Sequence, residues 1–301
     1  MRPRSIVLFA LVTTLIASFT GWALEPPAFD AVSGEAVLLR YQFSAGEQFD
    51  THMTMNMALK MDMGGMKIDT PAEMAMDMAC KVTAIDDNGN YLTEMRITHV
   101  TMKLEMMGTS LSFDSETNPD PSEEQFKALA AMLNKTVTAT ISPRGELIKV
   151  DTSALSAALA SAGPQGDQAI QQMDQMMNNL FIGLPEGQVK AGDEFEGGTL
   201  TQAIPEVGEM VMEIRYKVRA VSSDLKQAIL EPSVTLTVKP KEGATAAMDI
   251  QMEKYEGWIL FDVDGGNLNK SNVLSTVHMI IDQMGQKMDM VMDMDVVCAV
   301  E

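Results

Sequence analysis

The residues of this sequence best suited to chemistry carry sulfur: 28 methionines and two cysteines, Cys80 and Cys298. Many of the methionines recur two positions apart, as Met53, Met55 and Met57, then Met74, Met76 and Met78, then Met288, Met290, Met292 and Met294. Three uses are open to such a pattern. Packing is the plainest, because a thioether is flexible and fills irregular gaps in a core. A soft, repackable lining also suits an apolar ligand held inside a curved sheet. The third use is Cu(I) or Ag(I) binding by thioethers, with a cysteine as thiolate. Same-face neighbours on one strand lie about 6.7 Å apart, so a metal would need three or more sulfurs converging from adjacent strands. The ten methionines named are the candidate ligand-lining residues.

Catalytic chemistry finds little to work with. No Gly-x-Ser-x-Gly elbow, His-Glu-x-x-His pair, phosphate loop or dinucleotide fingerprint occurs. His52, His99 and His278 sit in or beside strand-like segments and read as surface or edge residues. Asp262, Asp264, Asn267 and Asn269 offer oxygen ligands for calcium, but the twelfth position of a loop starting at Asp262 is Val273, not a bidentate acid. That segment reads as a hairpin. The expectation is a non-enzymatic protein with no catalytic residues, no cofactor and no assigned metal site.

The elements that must position the sulfurs are strands. Successive strand residues face opposite sides, so Met53, Met55, Met57, Leu59 and Met61 share one face while Thr54, Asn56, Lys60 and Asp62 take the other. The same alternation runs through Met74, Met76, Met78, Cys80 and Val82, and through Met288 to Cys298. Each cysteine therefore lies on the methionine face of its strand. Shared parity predicts that Cys80 and Cys298 sit on neighbouring strands and form a disulfide. Met210, Met212, Ile214, Tyr216 and Val218 alternate with Glu209, Glu213, Arg215, Lys217 and Arg219 as a half-buried strand.

Turns and breaks punctuate these runs. Gly64-Gly65 and Asp86-Asp87-Asn88-Gly89 are turn candidates, since glycine and Asn-Gly tolerate positive φ. The apolar parity changes from odd at Met95 and Ile97 to even at Val100, Met102 and Leu104, which predicts a bulge near Thr98 and His99. A helix near 121–134 is expected from Asp120 as cap, Pro121 in the first turn, and Phe126, Leu129, Ala130 and Leu133 on one face. A second helical passage runs through 153–162 and 167–180, with Ile170, Met173, Met176, Met177 and Leu180 at helical spacing and a break at Gly163-Pro164.

Several words recur in order. Ala45-Gly46-Glu47-Gln48-Phe49-Asp50 returns as Ala191-Gly192-Asp193-Glu194-Phe195-Glu196. Lys81-Val82-Thr83-Ala84-Ile85 returns as Lys217-Val218-Arg219-Ala220-Val221, and Gly145-Glu146-Leu147-Ile148-Lys149 as Gly266-Asn267-Leu268-Asn269-Lys270. A tandem duplication with loops of unequal length is one reading and chance recurrence of turn words the other. On the Ala-Gly-Glu-Gln-Phe type opening, the Ile141-Ser142-Pro143-Arg144-Gly145-Glu146-Leu147 hairpin, and Leu184-Pro185 leading into Ala191-Gly192-Asp193-Glu194-Phe195, the chain resembles an uncharacterised family of exported bacterial β-rich proteins, a domain of unknown function. The resemblance spans most of residues 38–301 and implies no catalytic residues.

Composition sets the remaining bounds. Arg2 and Arg4 precede an apolar run from Ile6 to Ala17 and then Gly21-Trp22-Ala23, which reads as a signal peptide at 1–23. Its removal takes two arginines and no acids, so the net charge goes from -20 to -22. That charge excludes nucleic acid as a partner. No other stretch is long and apolar enough to span a bilayer, so the processed chain is expected to be soluble in the periplasm or extracellular space. The sequence thus predicts a mainly β protein: an N-terminal β-rich half at 24–152, a helical connection at 153–182, and a C-terminal β-rich half at 183–301. The two antiparallel halves form a curved sheet, a sandwich or a partial barrel. The expected role is to bind an apolar small molecule or to serve as an envelope structural component, with Cu(I)/Ag(I) binding as the alternative and no protein partner identified.

Overall fold

Alternating apolar residues can be buried on one side only if the chain is extended, and the long period-two runs accordingly become strands. The computed structural model describes residues 25–106, 108–159, 181–204, 207–241, 246–283 and 286–301. The first half contributes β1 (Gln48–Met63), β2 (Met66–Ile85), β3 (Tyr91–Met106), β4 (Thr109–Asp114), α1 (Glu124–Met132), β5 (Val137–Ile141), β6 (Leu147–Asp151) and α2 (Ser153–Leu159). The second half contributes β7 (Glu194–Ile204), β8 (Gly208–Val221), β9 (Gln227–Pro240), β10 (Ala246–Asp262), β11 (Asn267–Gln283) and β12 (Gln286–Val300). The expected signal peptide and the helical stretch from Ile170 to Leu180 lie outside the described residues.

All these strands join one antiparallel sheet that does not close into a barrel, ordered β6-β5-β3-β2-β1-β12-β11-β10-β9-β8-β7, with β4 on β3. The halves meet at its centre, where β1 pairs β12 from Thr51↔Val300 to Asp62↔Asp289.

The sheet is curved, and one short segment shows how strongly. β5 and β11 are separated by β3, β2, β1 and β12, roughly 24 Å along the sheet at about 4.8 Å per step. Yet the turns beside them bond to consecutive residues: Tyr41 N–H donates to the Pro143 carbonyl (2.8 Å) and Gln42 N–H to the Gly266 carbonyl (2.9 Å). The sheet therefore wraps around the segment before β1. Leu39, Tyr41 and Phe43 are buried there, and the Tyr41 ring meets Phe43, Phe181 and Phe261 at centroid distances of 5.8, 5.4 and 5.7 Å. Leu155 and Leu159 of α2 join the same core. This aromatic plug fills one end of the curl.

The bulge lies where the parity change puts it: Asp77 pairs His99 and Met78 pairs Ile97, leaving Thr98 as the extra residue. Gly89 takes φ 81° in the β2–β3 hairpin, and the Asp86 carboxylate accepts from the N–H groups of Asn88 and Asn90. The first helix departs from expectation. It begins at Glu124, with Glu123 as an N-cap that makes no side-chain bond. Pro121 is buried before the helix and Phe126 stacks on Phe113 at 5.3 Å, so burial, not capping by Asp120, fixes where the helix starts.

The recurrent words occupy equivalent places. Gly46 N–H donates to Val82 O (2.7 Å) and Gly192 N–H to Val218 O (2.8 Å); the return bonds run from Val82 N–H to Glu47 O (2.9 Å) and from Val218 N–H to Asp193 O (2.8 Å). Register shifts fall between Val82 and Ala84 and between Val218 and Ala220, and again between Thr140 and Ile141 and between Leu260 and Phe261. Chance recurrence of turn words does not reproduce bulges at matching positions. The meanders β1-β2-β3-β5-β6 and β7-β8-β9-β10-β11 are two copies of one plan, and β12 joins them.

Candidate functional site

Pairing aligns the sulfurs in rows across the sheet. Met53 of β1 is opposite Met76 of β2 on one side and Cys298 of β12 on the other. In the next row on the same face, Met55 is flanked by Met74 and Val296, and Met74 in turn pairs Met102 of β3. Met57 then pairs Met294, Leu59 pairs Met292, and Met61 pairs Met290. Met78 is opposite Thr51 and Met288 opposite Ile281, so all ten candidate methionines share one face. That face is the inner one, because Met53, Met74, Met76 and Met78 pack in the cluster that contains Tyr41 and Phe43.

Coverage of this face is uneven. Around the plug, residues from the helices and from 37–43 and 181–189 complete the core. Toward the other end, the cluster of Leu59, Val277, Met279, Ile281 and Met290, with Met57, Met61, Met248, Met252, Met288 and Met292 around it, consists of strand residues alone. Its members bury one another: Leu59, Val277, Ile281 and Met290 are each 4% exposed or less. Met76, Met78 and Met290 are buried, whereas Met53, Met55, Met57, Met74, Met288, Met292 and Met294 are half-buried. The methionines thus form a broad inner apolar face, buried at its middle and half-buried toward its margin.

The predicted disulfide is not formed: Cys80 and Cys298 are both free. They share a face, as their parity requires, but β1 stands between their strands, with Cys80 opposite Phe49 and Cys298 opposite Met53. Two strand steps and a four-residue offset put their Cα atoms roughly 16 Å apart, well beyond the roughly 7 Å a disulfide spans. Burial pushes the Cys80 thiol up to about 12 and the Cys298 thiol up to about 11.

The opposite face holds the polar chemistry. All three histidines lie there between carboxylates: His52 Nδ1 is 2.7 Å from Asp77 Oδ1, and His99 contacts Asp77 Oδ2 (3.2 Å) and Asp114 Oδ1 (3.3 Å). His278 lies 2.8 Å from Asp289 and 3.4 Å from Glu253. Among the described residues no group of three or more His, Cys, Asp or Glu side chains is arranged to hold a metal ion. The Asp262–Gly266 segment is a hairpin turn, the Asp262 carboxylate accepting from the N–H groups of Asp264 and Gly265.

A cleft of about 500 Å³ lies elsewhere, where the β9–β10 ladder stops after Leu230↔Ile259. Arg215, Arg219, Glu231, Tyr255 and Trp258 line it, and none of the ten methionines does. Its arginines are matched by acids, Arg215 with Glu196 and Arg219 with Glu231. Sequence reasoning missed both this seam and the plug. The alternation of Val37, Leu39, Tyr41 and Phe43 was the available signal for the plug.

Residues 88–295 match the profile of a family of unknown function (DUF6263). No curated protein matches the chain. Among solved structures, one describing lipid–protein interactions in lipovitellin is similar at TM-score 0.52 and 11% identity, covering 86% of this chain and 25% of that chain. The chain thus spans about a quarter of the lipovitellin length. OccK5 (OpdH) of Pseudomonas aeruginosa gives TM-score 0.22 at 10% identity, covering 85% of this chain and 98% of that chain. The translocator domain of the autotransporter NalP from Neisseria meningitidis gives 0.20 at 5% identity, covering 85% and 89%. No helix among the described residues is long and apolar enough to cross a membrane.

Proposed function

The chain belongs to this family of unknown function, and within it we propose a non-enzymatic role: binding an apolar, lipid-class molecule along the half-buried methionines of the inner face. One observation carries the reading. The cluster around Leu59, Met279 and Met290 is made of strand residues alone, with half-buried Met57, Met288, Met292 and Met294 at its margin. An apolar face of this kind gains about 25 cal/mol for each Å² it removes from water, and an elongated hydrocarbon is a fitting cover. Methionine suits the task because its side chain adapts to an irregular partner. The fold shared with lipovitellin, a protein described in terms of its lipid interactions, agrees with this reading. The Gly21-Trp22-Ala23 signal would place the work outside the cytoplasm.

The test is binding of an environment-sensitive apolar fluorophore, with mass spectrometry of co-purified lipid. Met57→Glu and Met292→Glu each place a charge on the inner face and should weaken binding at least tenfold, about 1.4 kcal/mol. Lys60→Glu, on the opposite face of β1, should leave it unchanged. Equal binding by all three variants, or none by the unaltered protein, would refute the proposal.

A further inference from the structure

We propose that Met53, Met76 and Cys298, with Met55 and Met74 in the next row, form a binding site for a soft monovalent cation, Cu(I) or Ag(I). The register meets the requirement that one strand alone cannot. Met53 is directly opposite both Met76 and Cys298, so three sulfurs from adjacent strands stand in one row on one face. Directly opposed residues have Cβ atoms roughly 4.5 to 5.5 Å apart, and the three torsions of methionine let the flanking sulfurs lean toward the middle one. Met55 and Met74 repeat the arrangement one row away, which adds two thioethers within reach.

The donor chemistry selects the ion. Thioethers are neutral, soft and need no deprotonation, and they bind Cu(I) in preference to harder ions. The row continues to Val100 beyond Met76 and to Ser271 beyond Cys298, while the histidines and their carboxylates face the other way. Zn²⁺ and Cu²⁺ therefore lack their usual imidazole partners here. Cys298 supplies the charge balance. Its S–H bond breaks as the metal–sulfur bond forms, the proton passes to solvent, and one thiolate neutralises one monovalent cation without any change of oxidation state. Met53, Met55, Met74 and Cys298 are half-buried, and Met76 is buried beneath them.

The experiment titrates the reduced full chain with Cu(I) against a competing chromogenic Cu(I) chelator. Retention of about one Cu(I) per chain, unaffected by Zn²⁺, is expected. Met53→Leu/Met76→Leu keeps the apolar volume and should lower the affinity at least tenfold while circular dichroism stays unchanged. Cys298→Ser should lower it as well and abolish the proton release that accompanies binding. Surrender of all copper to the chelator, displacement by Zn²⁺, or undiminished affinity in the double leucine variant would each overturn the proposal. Because the leucine variant retains an apolar face, failure here leaves the apolar-ligand reading standing, and the converse also holds.

Discussion

Asp77 sits between two histidines on the outer face, and its ionisation ties β1, β2 and β3 together. The hydrogen bond to Asp77 raises the proton affinity of His52; in His99 burial works the other way, but bonds to Asp114 and Asp77 prevail. Asp77 is held below the usual carboxylate range: burial opposes this, and the bonds from His52 and His99 outweigh it. Raised histidines contribute stability that is complete below their unfolded value of about 6.5 and is lost as the pH rises through their folded values. The depressed Asp77 contributes above its unfolded value of about 4 and is lost as the pH falls through its folded one. The network therefore stabilises most between about pH 4 and 6.5. Asp77→Asn should lower the melting temperature more at pH 5.5 than at pH 8.5 in thermal denaturation; equal losses at both would mean the ion pairs contribute nothing. Sequence alone placed these histidines at the surface but gave no hint of their partners, because Asp77 and Asp114 reach them only through cross-strand register.

At the level of elements, what could be read locally was read well. Strand period, the Asn-Gly hairpin and the bulge at Thr98 are properties of short windows, since each depends on which face a residue takes. Neighbour order is not local, and the cysteines show the consequence: identical parity put them on one face, but nothing in either strand says that β1 stands between them. The plug escaped for a similar reason. Its alternation is strand-like, yet it is held by two distant turns and not by a ladder. Those turns make a sharp prediction. Gly145 has φ 81°, and a Cβ there would meet the Ile182 carbonyl and the Tyr41 ring; Gly46 has φ 89° with open space around it. Gly46→Ala should cost about 1 kcal/mol, the backbone penalty alone, whereas Gly145→Ala should cost about 3 kcal/mol or more in denaturant titration because the plug must also move. Comparable losses would mean that the plug yields easily.

For the whole molecule, the decisive pairing is the one between β1 and β12, which joins the two halves. Deleting Gln286–Glu301 takes a strand from the centre of the sheet, leaving β1 and β11 as facing unpaired edges. Long exposed apolar edges recruit other chains. The truncated protein should therefore elute as aggregates in size-exclusion chromatography, and a synthetic peptide of that sequence added during refolding should restore the elution volume of the unaltered protein. A monodisperse truncated protein with an unchanged circular dichroism spectrum would show that the halves stand alone.

That central pairing also sets a clock. Met53 meets Cys298, 245 positions later (298 minus 53), so the closing ladder has nearly the largest sequence separation this chain allows. Contacts so distant cost loop-closure entropy before they return any stability, and they slow folding accordingly. Each meander can assemble early from its own hairpins, but β1 keeps a bare edge until β12, which follows every other described strand along the chain, has been made. The strand that completes the middle of the sheet comes after all its neighbours, and any pause in synthesis before it leaves the 16 residues of β1 without their partner.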